Sequence, residues 1–110
     1  FKTTGPVSAT APKVVSQNAT AITESKATLH GTVNPNGAET KYWFEYSTDT
    51  LLGSVLFTAT PQISAGSGTN TTSVSADLTN LSPKTTYFFR LVSQNSVGTT
   101  RGSEIMFKTK

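Results

Sequence analysis

Cysteine is absent from this chain of 110 residues. That excludes disulfide staples, thiol catalysis and thiolate metal sites, so the hydrophobic core alone must hold the fold. Charge is scarce as well: only 14% of the residues are Asp, Glu, Lys or Arg. The nine basic residues are scattered from Lys2 to Lys110, and the formal net charge is +3. A nucleic-acid surface gathers Lys and Arg into a patch or stripe, so no nucleic-acid partner is expected. No run approaches the roughly 18 apolar residues that cross a bilayer as a helix, and membrane insertion is not expected. The N-terminal stretch lacks the basic region and apolar core of a signal peptide. Helical periodicity is missing too, since no window places apolar residues at i, i+3 and i+4.

What is present suits an all-β chain. Thr, Ser and Gly are abundant, and 35% of the residues are hydrophobic. The length fits one domain. Residues 1–11 read as a linker, with Gly5, Pro6 and small polar side chains. The domain then spans residues 12–110. Seven candidate strands follow, at residues 12–17, 26–33, 40–47, 55–59, 73–78, 87–94 and 104–108. Alternation with period two marks several of them. Ala27, Leu29, Gly31 and Val33 share one parity, as do Tyr42, Phe44 and Tyr46; Val74, Ala76 and Leu78; Tyr87, Phe89 and Leu91. Ile105 and Phe107 complete the expected inward set. Many short strands divided by turn residues predict a sandwich or barrel. Pro35-Asn36-Gly37 is a turn in which proline presets φ and Asn-Gly tolerates positive φ. Residues 49–72 carry two Gly-Ser pairs and Pro61, and their register is ambiguous; Ile63 is the candidate anchor there.

The opening triplet Phe1-Lys2-Thr3 recurs as Phe107-Lys108-Thr109. Such a recurrence is expected if residues 1–3 are the end of a preceding repeat.

The stretch Leu78-Thr79-Asn80-Leu81-Ser82-Pro83-Lys84-Thr85-Thr86-Tyr87 resembles the corner motif Leu-x-x-Leu-x-Pro-x-Thr-x-Tyr of fibronectin type III domains. The resemblance runs over roughly residues 12–109. It implies a seven-stranded antiparallel immunoglobulin-like sandwich of fibronectin type III topology. Leu81, Pro83 and Tyr87 are then the structural corner: Leu81 plugs the end of the sandwich, Pro83 shapes the turn, and Tyr87 returns its hydroxyl to the backbone. Many family members bury a tryptophan where this chain has Gly31, so the aromatics of residues 40–47 are expected to fill that space. Leu29-His30-Gly31-Thr32-Val33-Asn34-Pro35-Asn36-Gly37 looks like a prokaryotic branch of the family. Arg-Gly-Asp is absent, and integrin-type adhesion does not carry over.

The candidate binding face follows from parity. If Tyr42, Phe44 and Tyr46 point inward, Trp43 and Glu45 point outward. On the strand expected beside them, Phe88, Arg90 and Val92 point outward as well. These five residues form either an exposed aromatic platform for a sugar or a partner domain, or an ordinary covered sheet in which Arg90 stacks on Trp43 and pairs with Glu45. The loops at residues 34–39 and 95–102 are expected at one end of the sandwich and are either a second candidate site or plain turns.

No catalytic constellation is read. His30 is the single histidine and is expected on an outward face among threonines, without the nucleophile and orienting acid of a hydrolytic triad. The six acids, Glu24, Glu39, Glu45, Asp49, Asp77 and Glu104, are spread out and form no calcium loop. No metal and no cofactor is expected, and the chain is not read as an enzyme. Sequons begin at Asn18, Asn70 and Asn80. The resulting expectation is a spacer or structural module of a secreted or cell-surface protein, monomeric when isolated. Its partners would be neighbouring domains of the same chain. The alternative is a carbohydrate- or protein-binding adhesion module, with a polysaccharide or surface protein as ligand.

Overall fold

The computed structural model describes residues 10–48 and 58–110. The Phe1-Lys2-Thr3 triplet, most of the expected linker, Asp49 and the first part of the strand expected at residues 55–59 lie outside the described residues. Among those described there are nine strands and no helix. They are β1 (Lys13–Thr20), β2 (Ala27–Asn34), β3 (Thr40–Ser47), β4 (Thr58–Ala59), β5 (Ile63–Gly66), β6 (Thr72–Leu78), β7 (Thr86–Gln94), β8 (Thr99–Arg101) and β9 (Ile105–Lys108). One sheet has the order β1-β2-β6. The other runs β4-β3-β7-β8, with β5 also on β3 and β9 also on β7. Every pairing is antiparallel.

The two inner faces are the alternating residues of the sequence. Leu29 and Val33 of β2, Phe44 of β3, and Phe89 and Leu91 of β7 are fully buried. Ala27, Tyr42, Val74, Leu78, Leu81, Tyr87 and Phe107 join the same cluster, with Tyr46, Ala76 and Ile105 packed at its margin. The aromatics meet in tilted and edge-on pairs, Phe44–Phe89 at 6.2 Å and Tyr42–Phe44 at 6.5 Å between ring centres. Those separations lie in the favourable range for aromatic contacts.

The space left by the missing tryptophan is filled differently from expectation. A Cβ built on Gly31 would stand 2.5 Å from Leu91 Cδ2 and 2.7 Å from the Val15 carbonyl oxygen. Leu91, from the opposite sheet, therefore occupies the position over Gly31, and only glycine permits that approach. The β3 aromatics fill the core beside it.

The strand count also departs from the expected seven. The expected strand at residues 104–108 is the second half of a longer edge, interrupted at residues 102–104. At the interruption the Gly102 N–H donates to the Leu91 carbonyl at 2.7 Å. The Ser16 hydroxyl of β1 enters there and accepts from the Leu91 N–H at 3.2 Å. A Cβ on Gly102 would lie 2.5 Å from that hydroxyl. Thus β8 and β9 flank a break made by β1 reaching across to β7. Strand β1 itself runs three residues past its expected end, by a register shift between Gln17 and Thr20.

Ile63 does not anchor the ambiguous segment. It pairs with Tyr42 at the edge of the larger sheet and remains 46% exposed. Among the described residues the opposing sheet has three strands, β1, β2 and β6. Ala65 makes the inward contact instead.

At the turn from β6 to β7, Leu81 is buried and its N–H donates to the Ser25 carbonyl at 3.0 Å. Tyr87 Oη accepts from the Ser82 N–H at 2.8 Å. The Tyr87 ring stacks on Phe107 at 5.5 Å and an angle of 17°. Pro83 offers its carbonyl to the Thr85 hydroxyl at 2.9 Å. Thr109 is buried against this corner; its hydroxyl accepts from the Thr85 N–H at 2.9 Å and donates to the Ser82 carbonyl. The Lys110 N–H then donates to the Thr23 carbonyl at 3.1 Å. The final strand is thereby sewn to the corner on both sides.

Two substitutions probe these contacts. Ser16→Ala removes the acceptor of a buried N–H, and stability is expected to fall by about 1–3 kcal/mol. Denaturant unfolding reads the loss, and amide exchange at Leu91 should accelerate. An unchanged midpoint would mean that this bond does not fasten β1 to β7. Tyr87→Phe keeps the ring and deletes the hydroxyl that serves Ser82, with an expected loss of about 1–3 kcal/mol. A Tyr87→Phe chain as stable as the parent would show that the corner is held by packing alone.

Candidate functional site

Strands β3 and β7 set the candidate face. Their register places Trp43 opposite Val92, Glu45 opposite Arg90 and Ser47 opposite Phe88. Directly paired residues share a sheet face, so Trp43, Glu45, Phe88, Arg90 and Val92 stand together on the outer side of the larger sheet. The face is covered rather than open. Glu45 is only 4% exposed and Val92 is fully buried. Val92 is flanked in register by Trp43 on one side and by Arg101 of β8 on the other. Strand β8 lies in the stretch expected as a loop, and its presence puts Val92 inside the sheet rather than near its edge.

The polar groups of this face are turned on one another. Arg90 Nε donates to Glu45 Oε1 at 2.8 Å, and Nη2 lies 2.7 Å from the same oxygen. Trp43 Nε1 donates to Glu45 Oε2 at 3.2 Å. Both carboxylate oxygens are therefore engaged, one by a guanidinium and one by an indole. Both side chains of this ion pair are largely buried, so removing one partner strands the other. Trp43 and Phe88 keep partial exposure. What remains for a ligand is two part-exposed aromatic side chains beside an occupied ion pair, with the exposed Met106 paired to Phe88.

The second candidate site, the loop pair at one end, is engaged by the chain's own lead-in. Asn36 sits at φ 55, a left-handed conformation that asparagine tolerates. Its Nδ2 donates to the Ala11 carbonyl at 2.8 Å, and its carbonyl accepts from the Thr10 N–H at 3.3 Å. Asn95 Nδ2 donates to the Thr10 carbonyl at 2.8 Å and to the Pro35 carbonyl at 3.2 Å. Its Oδ1 accepts from the N–H groups of Val97 and Gly98, at 2.8 Å and 3.2 Å. Val97, at the tip of that turn, is 53% exposed.

His30 pairs in register with Gln17 and Ser75, and its Nε2 lies 2.6 Å from the Thr20 hydroxyl. Asp77 accepts from the Thr28 hydroxyl at 2.9 Å. Among the described residues no three His, Asp or Glu side chains gather in a way that could hold a metal ion. The sequon asparagines Asn18, Asn70 and Asn80 are exposed.

One feature had no signal in the sequence. An open cleft of about 500 Å³ lies beside the corner, lined in part by Tyr46, Thr60, Asp77, Asn80 and Tyr87. Burial pushes the Tyr46 hydroxyl above its ordinary pKa, and Tyr87 adds to the effect. These residues come from β3, the segment after β4, the end of β6 and the corner, so only the tertiary fold brings them together.

No protein-family profile matches the chain, and no curated protein matches it. Solved structures do. The sensor domain of the anti-sigma factor RsgI4 in Pseudobacteroides cellulosolvens superposes with a TM-score of 0.68 at 23% identity, covering 93% of this chain and 97% of that one. A structure described as a myokine gives 0.63 at 19% identity, covering 93% of this chain and 98% of that one. The fibronectin type III domain of human fibronectin type III domain containing protein 3 gives 0.58 at 19% identity, covering 96% of this chain and 92% of that one. Identities this low speak for the fold and not for a shared ligand. With its corner motif, its two antiparallel sheets and these full-length superpositions, the chain is a fibronectin type III-like β-sandwich.

Proposed function

We propose that this sandwich is a non-catalytic spacer in a multidomain secreted or cell-surface protein. We propose also that residues 1–11 are a linker carrying the end of a preceding repeat. The observation that best supports the spacer reading is the placement of the two chain ends. Thr10 and Ala11 are held beside the β2–β3 turn, at Asn36. Thr109 and Lys110 are held beside the opposite end of β2, at Thr23, and at the β6–β7 corner. Strand β2 has eight residues and at roughly 3.3 Å per residue is about 26 Å long. The chain therefore enters at one pole and leaves at the other, which suits end-to-end stringing.

The repeat reading draws support from the second Phe-Lys-Thr triplet. Phe107 and Thr109 are buried, while Lys108 is exposed. Two of the three recurring letters are thus the ones that a closing strand requires.

The competing reading is a carbohydrate- or protein-binding module. It is favoured by the part-exposed Trp43 and Phe88 on the β3–β7 face. A sensor domain among the similar folds is compatible with it. The spacer reading ranks first because the polar groups of that face already satisfy one another.

A titration with polysaccharides, followed through the fluorescence of Trp43, separates the two. The spacer reading expects no saturable change for the parent chain. A saturable change that disappears in Trp43→Ala, with the fold retained, would replace the spacer by a binding module and locate its site on the β3–β7 face.

A further inference from the structure

We propose that Asn36 and Asn95 form an orientation clamp, holding the entering chain so that a domain placed upstream stands in a fixed direction. The proposal rests on the multidomain reading above. Strand β1 begins at Lys13, so Thr10 and Ala11 precede any sheet pairing. They are nevertheless held by three hydrogen bonds. The Thr10 N–H reaches the Asn36 carbonyl at 3.3 Å, the Thr10 carbonyl receives Asn95 Nδ2 at 2.8 Å, and the Ala11 carbonyl receives Asn36 Nδ2 at 2.8 Å.

Two features make this a built device. The first is that the partners of the lead-in come from two different turns. The carbonyl oxygen of the Asn95 side chain is fixed by Val97 and Gly98, which aims its amide at Thr10 and at Pro35. One side chain thus ties both turns and the lead-in together. Asn36 is fixed in turn by donating its N–H to Asn34 Oδ1 at 2.9 Å. The second feature is packing: Ala11 Cβ lies 3.6 Å from where a Cβ on Gly98 would stand, so the lead-in rests on the same turn that binds it. Two residues held through three backbone groups define a direction, whereas one bond would leave a swivel. If residues 1–3 close a preceding repeat, only residues 4–9 remain between that repeat and the clamp. How far orientation passes along such a linker depends on its stiffness, which composition sets, and residues 4–9 include both Gly5 and Pro6.

The test uses two substitutions that keep the bonds within each turn, while Asn95→Asp also gives up the bond that joins the two turns at Pro35. Asn95→Asp keeps the oxygen that organises Val97 and Gly98 and removes the amide donor. Asn36→Gly keeps the left-handed backbone and removes the side chain. In the 110-residue chain, backbone order parameters at Thr10 and Ala11 should be about 0.85, as in rigid backbone, and fall below about 0.6 in the double variant. Unchanged amide shifts in β2 and β7 report that the variant folds.

The second measurement joins two copies in frame at the repeat, with Thr109 of the first running into Thr4 of the second. Residual dipolar couplings of the parent pair should fit one common alignment tensor, and those of the double variant two different tensors. Independent tensors in the parent pair, or no change in the variant, would overturn the clamp. A flexible spacer would then remain, because the polysaccharide titration bears on the spacer reading separately. If the double variant does not fold, Asn36→Gly alone carries the test, with the same order-parameter criterion at Ala11.

Discussion

The contact of Leu91 with Gly31 organises this sandwich. The Leu91 side chain fills the space above Gly31 in the opposite sheet. Its N–H is bound by the Ser16 hydroxyl of β1, and its carbonyl by the Gly102 N–H. One residue of β7 therefore touches the smaller sheet twice and breaks the edge strand into β8 and β9. A domain without disulfides depends on such cross-sheet contacts, since burial of apolar area is its main source of stability. Phe44, Phe89 and Phe107 extend the same packing toward the corner, where Tyr87 and Thr109 close it.

Parity was the most legible feature of the chain, and coverage the least. Alternation placed Trp43, Glu45, Phe88, Arg90 and Val92 on one face, and the β3–β7 register has them there. It could not say that Val92 would be buried, because that depends on β8, whose Thr99-Thr100-Arg101 has no apolar residue to mark it as a strand. Ile63 failed in the opposite direction. Its hydrophobicity suggests an anchor, but on β5 it pairs with Tyr42 at the sheet margin and stays exposed. Gly31 was recognised as a gap for a large side chain. Which neighbour would fill the gap required the geometry of Leu91. The corner was readable because its letters have fixed jobs: Leu81 buries, Tyr87 serves the Ser82 N–H, and Thr85 bonds to the Pro83 carbonyl.

These features bear on function through what they leave unoccupied. The outer face of β3 and β7 spends its carboxylate on Arg90 and Trp43. The loop end spends Asn36 and Asn95 on the entering chain. The opposite pole spends its backbone groups on Thr109 and Lys110. Polar groups that are already paired have little to gain from a ligand, since binding must first break the internal bond. The spacer role proposed above rests on these ends being tied down at opposite poles.

The packing of the two sheets depends on Leu91 occupying the space over Gly31, and a double-mutant cycle of Gly31→Ala and Leu91→Ala measures that directly by denaturant unfolding. Each single substitution should destabilise: the first by forcing a methyl into Leu91 and the Val15 carbonyl, the second by opening a cavity. If the two residues meet as described, the cost of Gly31→Ala should shrink by at least about 1 kcal/mol in the Leu91→Ala background. Costs that add to within about 0.5 kcal/mol would contradict the account, because independent sites do not share the space that holds these sheets together.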